Sequence, residues 1–329
     1  MNSAPRVLVT GGAGFIGSTY VRTLLGPSGP AGTEVTVLDK LTYAGNPANL
    51  DAVRRHPGFA FVQGDVCDPV LVDKLVSEHD QIVHFAAESH VDRSIAGADA
   101  FVRTNVLGTQ TLLDAAVRNR IATVVHISTD EVYGSVDTGS WTEDEPLRPN
   151  SPYAATKASA DLLALSHHRT HGLDVRVTRC SNNYGPHQFP EKVVPLFITR
   201  LLDGGRVPLY GDGSQVRDWL HVDDHVRAVE LVRTRGRAGE VYNIGGGTEL
   251  SNRELTDLLL EALGADDSRV DHVEDRKGHD RRYSVDWTKI RDELGYRPGK
   301  DFATGLAETV AWYRDNRSWW QPLLDRAAL

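Results

Sequence analysis

Arg6-Val7-Leu8-Val9-Thr10-Gly11-Gly12-Ala13-Gly14-Phe15-Ile16-Gly17 opens the ordered pattern of the chain, and Ser18-Thr19-Tyr20-Val21-Arg22-Thr23-Leu24-Leu25 follows it. Residues 6–10 are an apolar, β-branched run suited to a buried parallel strand, and residues 18–25 read as a helix. The glycines between them satisfy both Gly-x-Gly-x-x-Gly (Gly12, Gly14, Gly17) and Gly-x-x-Gly-x-x-Gly (Gly11, Gly14, Gly17). Such a turn lets the backbone approach a pyrophosphate, whose charge then rests on the helix N-terminus. Gly11, Gly14, Phe15, Ile16 and Gly17 are therefore expected to line a dinucleotide. Glu34–Asp39 is a second strand ending in an acid, about 20 residues beyond the glycines. Asp39 is placed to accept both hydroxyls of an adenosine ribose and to repel a 2′-phosphate, which favours NAD over NADP. A lone glycine motif is weak; strand, glycines, helix, strand and acid in that order are specific.

Ala60–Gln63, Gln81–Phe85, Val124–Ile127 and Asp174–Arg179 read as further strands, and Asp99–Asn119 has helical periodicity. Regular alternation of this kind predicts an α/β fold with a doubly wound parallel (Rossmann) sheet. Asp65 and Val66, after the third strand, are expected to wall the adenine. Phe85, Ala86 and Ala87, after the fourth, would let a dinucleotide lie close. His90 in the same loop reads as a solvated or hydrogen-bonded histidine. Past residue 180 the alternation weakens. Ser181–Pro186 and Gly211–Trp219 read as turns, Glu191–Pro195 as the opening of a helix, and Gly26–Gly32 as a flexible loop. The expected organisation is a cofactor domain over 1–180 and a smaller C-terminal α/β substrate domain over 181–329. Residues 221–247, a helix and a strand, would return to the first.

The chemistry concentrates between Val124 and Lys157. Thr129, Asp130 and Glu131 follow Ser128 where the fifth strand meets its loop, and ligands of open α/β sheets gather at the carboxyl ends of the strands. Tyr153 and Lys157 are four apart and share a helix face. Tyrosine ionises near pH ~10, and an adjacent ammonium favours the phenolate. The pair is thus suited to act as a general base on an alcohol. On its own this spacing is common on ordinary helix surfaces; the glycine-rich turn gives it weight. Asp275–Tyr283 gathers Arg276, Lys277, Arg281, Arg282 and His279, a cluster suited to phosphate, for which arginine has matching geometry.

The 329 residues are 40% hydrophobic and 25% charged, as in a soluble globular protein. No apolar run is long enough to span a bilayer, and no signal-peptide core precedes the first strand, so a cytoplasmic protein is expected. Cys67 and Cys180 provide neither a disulfide framework nor metal-ligand spacing and are read as core or structural thiols, with no metal. Lys and Arg number 36 against 45 Asp and Glu, a net charge of −9 that argues against nucleic acid as a partner.

Taken together the residues resemble the extended short-chain dehydrogenase/reductase superfamily, and more narrowly the dTDP-glucose 4,6-dehydratases. The narrow resemblance rests on Leu41–Asn46, Ala86–Ser94, Thr129–Gly134, Ser181–Pro186 and Gly278–Tyr283, spread over nearly the whole chain. Two departures are Thr156 where serine is usual and a short loop over Ser135–Asn150. The resemblance implies a lyase with tightly bound NAD. Tyr153, helped by Lys157 and Thr129, would take the proton of sugar O4 as hydride leaves C4. Glu131 would remove the C5 proton, Asp130 would protonate the departing 6-hydroxyl, and hydride would return to C6. The resemblance adds Lys40, Thr42, Gly45, Thr104 and Asn183 at the cofactor, with Tyr153 and Lys157. For a nucleotide sugar it implies Ser89, Thr129, Asn182, Glu191, Lys192, Val193, Pro208, Tyr210, Arg217, Asn252, Arg276, His279, Asp280 and Tyr283. It also suggests a homodimer formed through helices near Asp99–Asn119 and Ser151–His171. The alternatives are a 4-epimerase, a UDP-glucuronate decarboxylase, or a non-catalytic NAD-sensing protein. The first has no use for the Asp130–Glu131 pair, the second would not need Asp130 to expel a hydroxyl, and the last would be expected to lose Tyr153 or Lys157.

Overall fold

A computed structural model describes residues 4–327. Its strands are β1 (Arg6–Thr10), β2 (Glu34–Asp39), β3 (Phe59–Gln63), β4 (Gln81–His84), β5 (Thr123–Thr129) and β6 (Val175–Cys180), followed by β7 (Asn182–Tyr184), β8 (Val207–Tyr210), β9 (Val216–His221), β10 (Val241–Ile244), β11 (Glu249–Ser251) and β12 (Val270–Val273). Seven of them form one parallel sheet in the order β3-β2-β1-β4-β5-β6-β10. The order reverses between β1 and β4, which opens a crevice at the carboxyl ends of the strands.

Side chains alternate across this sheet, so each strand feeds two cores. Val7 and Val9 pack with Tyr20, Val21 and Leu24 of helix Phe15–Leu25 and with Val226, Val229 and Val232 of helix Val222–Arg235. Leu8 packs on the opposite face with Val72, Leu75 and Val76 of helix Pro69–Ser77, and with Leu112, Leu113 and Ala164. Every residue of β5 is buried, as a central strand covered on both faces should be. A third core, which includes Phe197, Leu255, Leu259, Tyr313 and Trp320, lies among the smaller sheets β11-β9-β7 and β12-β8.

Several local expectations need correction. Ser181–Pro186 is not wholly a turn: Asn182–Tyr184 is β7, paired in parallel with Trp219–His221 of β9. The turn expected over Gly211–Trp219 ends early, and β9 begins at Val216. In both places a hydrogen-bonded neighbour overrides weak strand propensity. The helix expected from Glu191 starts at Val193, with Lys192 at its N-cap. The long helix over Asp99–Arg118 contains a π-helical stretch, Val102–Gly108. Cys67 is only partly buried, its thiol donating to the Arg103 carbonyl at 3.2 Å, whereas Cys180 is buried.

The C-terminal segment returns to the start of the fold. Trp319 Nε1 donates to Asn49 Oδ1 at 2.9 Å, and Asn49 Nδ2 donates to the Ala13 carbonyl at 3.0 Å. Arg326 donates to the Thr42 carbonyl at 2.7 Å. Among the described residues no helix is long and apolar enough to cross a membrane.

Candidate active site

The glycines after β1 serve two different ends. A Cβ on Gly17 would lie 2.3 Å from the Gly11 carbonyl oxygen, and one on Gly11 would meet the Ala86 backbone at 2.6 Å. Those two are required by the packing of the turn itself. A Cβ on Gly14 would meet only the Gly11 oxygen, at 3.3 Å, because its other side opens into the cavity. Gly14 is also the N-cap of helix Phe15–Leu25, contributes no side-chain cap, and is followed by no acidic residue in the first turn. The helix therefore presents uncapped N–H groups and the positive end of its dipole to the cavity. That cradle fits the pyrophosphate of a dinucleotide.

At the end of β2 the Asp39 carboxylate accepts from Ala13 N at 2.9 Å and from Leu41 N at 2.8 Å. Burial raises its pKa and these two amides oppose the rise. Each oxygen keeps a lone pair for a ribose hydroxyl. Lys40 pairs with Asp65 at 2.7 Å across the same rim. Gly11, Gly14, Phe15, Ile16, Gly17, Asp39, Lys40, Thr42, Gly45, Asp65, Val66, Phe85, Ala86, Ala87, Thr104 and Asn183 all border one cavity, and Thr129, Asp130, Glu131, Tyr153 and Lys157 border the same one.

β5 delivers Thr129 to that cavity and a short 3-10 turn, Asp130–Tyr133, carries the two acids. The Thr129 hydroxyl caps the turn, accepting from Glu131 N at 3.3 Å and donating to Asp130 Oδ1 at 3.3 Å. Asp130 is 2% exposed, and its Oδ2 has no partner among the described residues. Burial pushes the Asp130 carboxyl well above the usual carboxylate range, and the negative charges of Glu131 and Asp218 push the same way. Burial also raises Glu131, but Lys192, Arg276 and Arg217 pull it back. Both carboxyls are raised, but Asp130 the more strongly: Arg217 opposes its rise, whereas Lys192, Arg276 and Arg217 all oppose that of Glu131.

Helix Pro152–His171 starts at Ser151, whose Oγ accepts from Ala154 N at 3.1 Å, and its first turns point Tyr153 and Lys157 into the cavity. Lys157 Nζ donates to the Ile127 carbonyl at 2.6 Å, and burial lowers its pKa to about 8. Tyr153 departs from the sequence expectation. Its pKa is raised, first by burial and then by the Glu131 charge, while a hydrogen bond with Thr129 opposes the rise. Burial and the nearby acids favour the protonated phenol. Thr156, the departure from serine, keeps the useful hydroxyl: it donates to the Tyr153 carbonyl at 2.8 Å and accepts from Asn105 Nδ2 at 2.9 Å.

Of the residues expected at a nucleotide sugar, Ser89, Asn182, Glu191 and Lys192 border the cavity with Thr129. Lys192 Nζ donates to the Ser89 carbonyl at 2.8 Å, and Glu191 holds Arg93 at 3.0 Å. Val193, Pro208, Tyr210, Arg217, Asn252, Arg276, His279, Asp280 and Tyr283 lie outside that wall. Arg217 is buried over the Tyr283 ring, 4.3 Å from its centre, and donates to the Asp280 carbonyl at 3.0 Å. Arg276 lies 3.6 Å from Asp92 with a buried Nε that has no partner among the described residues. His279 pairs with Asp275 at 2.6 Å, and its ring is edge-on to Tyr210. Asn252 starts a helix, its N–H bound to the Gln215 carbonyl at 2.9 Å. Pro208 is opposite Asp271 between β8 and β12, and Val193 begins its helix. His90 is the N-cap of helix Val91–Ala96, and burial and Lys192 hold its pKa down at about 4.

Sequence reasoning passed over Glu88, Cys180, Ser181, Gln188 and Phe189, which also border the cavity. Ser181 had a signal within its motif; its Oγ donates to Asp218 Oδ2 at 2.6 Å. Among the described residues there is no cluster able to hold a metal.

A ribose acid, a glycine-rich pyrophosphate turn and a Tyr-x-x-x-Lys pair on one parallel sheet define an extended short-chain dehydrogenase/reductase. Comparison with known proteins narrows this. The family profile described as GDP-mannose 4,6 dehydratase matches residues 8–309. A dTDP-glucose 4,6-dehydratase of Streptomyces griseus is 69% identical over 323 residues, covering 98% of each chain. The crystal structure of DesIV, a dTDP-glucose 4,6-dehydratase from Streptomyces venezuelae with NAD and TYD bound, superimposes with a TM-score of 0.95 at 64% identity, covering 97% of this chain and 99% of that one. A UDP-glucose 4-epimerase from Thermotoga maritima with UDP-glucose is more distant, with a TM-score of 0.87 and 34% identity over 95% of this chain and 99% of the other. The chain belongs to the 4,6-dehydratase family, in its dTDP-glucose 4,6-dehydratase branch.

Proposed function

We propose that the protein converts dTDP-glucose to dTDP-4-keto-6-deoxyglucose and water. The observation that carries this proposal is the contrast between Asp130 and Glu131 in the cavity that also holds Tyr153 and Lys157. An epimerase needs the second pair alone; loss of water needs an acid and a base as well. The glycine turn, Asp39 and the β4 loop would hold NAD, which supplies a hydride acceptor at C4, a hydride donor at C6 and, when oxidised, positive charge beside the phenol.

Tyr153 must first ionise, which the Lys157 ammonium, a hydrogen bond from Thr129 and the positive charge of a bound oxidised cofactor would favour against its burial; the phenolate then takes the O4 proton. The ketone at C4 makes the C5 hydrogen acidic. Glu131, kept nearer its ionised form by Lys192, Arg276 and Arg217, takes that proton. Asp130, holding its proton in a dry site, gives it to the C6 oxygen, which leaves as water. Glu131 then returns its proton to C5, and the proton gained by Tyr153 replaces the one lost by Asp130, with the Thr129 hydroxyl next to Asp130 suited to relay it. Arg217, Arg276, Lys192 and His279 are suited to the diphosphate. The division of the chain near residue 180 into a cofactor part and a sugar part belongs to the same proposal.

A cytoplasmic homodimer completes it. Val102, Leu107 and Leu162 are 51%, 49% and 57% exposed on the two helices that would meet. Leu107→Glu should turn the dimer into a monomer in analytical ultracentrifugation; a parent that already sediments as a monomer removes this part. The function itself is tested by incubating the protein with dTDP-glucose. A product lighter by one water, with the alkaline absorbance of a 4-keto-6-deoxy sugar, is expected, and unchanged sugar or a C4 epimer would overturn the proposal.

A further inference from the structure

Beneath the reacting side chains runs a line of buried polar groups that does not border the cavity. Arg179 on β6 donates from Nε to Asp161 Oδ2 at 2.9 Å and from a terminal nitrogen to the Tyr133 hydroxyl at 2.7 Å. That hydroxyl donates in turn to Asn243 Oδ1 on β10 at 2.9 Å. His126 Nε2 lies 3.4 Å from Asp161 Oδ1. The guanidinium lies 4.8 Å from the centre of the Tyr133 ring, and Trp141 stacks on the same ring at 6.3 Å. Asp161, Arg179, Tyr133 and Asn243 are each no more than 3% exposed.

The two ends of this line are informative. Asp161 is one helical turn beyond Lys157, on the helix that carries Tyr153. Tyr133 is two residues beyond Glu131, on the turn that carries both acids. Arg179 therefore braces one catalytic segment against the other from below. A buried ion pair is poor evidence for stability, since apolar groups of the same volume often serve as well or better; its best-attested use is to fix register. Here the register at stake is that of Asp130 and Glu131 relative to Tyr153 and Lys157.

We propose that Tyr133 is a positioning residue for the elimination step, its hydroxyl locking the Asp130–Tyr133 turn to Arg179 and through it to the helix of Tyr153. This rests on the dehydratase reading above. The first oxidation uses the helix and Thr129, whereas loss of water uses the turn. Release of the turn should therefore fall on elimination.

The test is Tyr133→Phe in the holoenzyme, which keeps the ring and its volume but removes both hydrogen bonds. Single-turnover mixing with dTDP-glucose should show NADH forming at the parental rate and persisting, while water loss slows about 10- to 100-fold, the scale of a small misplacement of reacting groups. KM and bound NAD should stay near parental values. Arg179→Lys, which keeps a charge opposite Asp161 but loses the fork that reaches Tyr133, should show the same division. Added to Asp130→Asn/Glu131→Gln, Tyr133→Phe should slow elimination no further, because both groups it positions are already removed. Equal slowing of both steps, no slowing, or additive losses would overturn the proposal. A parent that forms no 4-keto-6-deoxy sugar would refute the dehydratase reading instead, a result separate from an active parent whose Tyr133→Phe variant behaves identically.

Discussion

Lys157 Nζ donates a 2.6 Å hydrogen bond to the backbone carbonyl of Ile127, mooring the ammonium to the strand that presents Thr129. Burial of that charge lowers its pKa from the ordinary 10.5 to about 8, with Asp161 opposing the shift. Below about pH 8 folded and unfolded chains both carry the proton, and the fold bears the full cost of a desolvated cation. Between about 8 and 10.5 only the unfolded chain still binds it, so this group's contribution to stability rises with pH across that window. Lys157→Met should lack the rise. Denaturant unfolding at pH 7 and pH 10 should find the parent gaining on the variant by on the order of 2 kcal/mol. A gap that stays constant with pH would contradict this.

The glycine turn predicts two distinct phenotypes. Gly17→Ala would place its Cβ 2.3 Å from the Gly11 carbonyl oxygen, so the turn must shift and the fold should lose about 2 kcal/mol or more. Gly14→Ala meets that oxygen only at 3.3 Å, with a φ of −77° that alanine adopts freely, so its stability cost should be about 1 kcal/mol at most. Its methyl would instead stand where a pyrophosphate approaches. Measured together, melting temperature and NAD released on denaturation should separate the variants. Parental NAD content in Gly14→Ala would remove the assignment.

Asp130→Asn should still oxidise C4, because Tyr153 and Lys157 remain, while elimination slows by about the 10²–10⁴-fold of a lost acid catalyst. NADH should then accumulate on the enzyme in one turnover. Tyr153→Phe should show no NADH at all. Were both variants to lose NADH formation equally while still binding substrate, the division of labour between helix and turn would be wrong.

Isotopes follow the whole route. Substrate deuterated at C4 should give product deuterated at C6, and unlabelled substrate in D₂O should gain deuterium at C5, where Glu131 exchanges the proton. A mixture with a differently mass-labelled, undeuterated substrate should give no crossover between molecules. Label that remains at C4, or scrambles between molecules, excludes an intramolecular dehydratase.

Most of the parallel sheet was legible because its strands are short apolar runs punctuated by glycines and acids, a pattern that burial on both faces imposes locally. β7 was not, since Asn182 and Asn183 have turn-forming side chains and become a strand only through pairing with Trp219 and Leu220, far along the chain. The π-helical stretch around Asn105 escaped for a related reason: no residue type in Val102–Gly108 marks a widened turn. Tyr153 and Lys157 were found by spacing, yet the sign of the tyrosine's shift was not, because desolvation and the Glu131 field exist only in the assembled site. Arg276 was named for phosphate affinity and Arg217 through the resemblance alone, but a linear pattern does not reveal that they also steer Glu131 toward ionisation.

The contacts of Trp319 and Arg326 impose an order of events on biosynthesis. Asn49 must wait for a partner 270 residues later, and the Thr42 carbonyl for one 284 residues later. At the ribosome's ordinary 5–20 residues per second that delay is roughly 15–60 s, during which the first βαβ unit is made but its ribose loop is unlatched. Latching of the ribose loop thus belongs to the finished chain rather than to the emerging one, and firm retention of coenzyme is expected to follow it. Ribosome-stalled chains ending before residue 319 should hold no NAD that survives washing, whereas released chains should retain it.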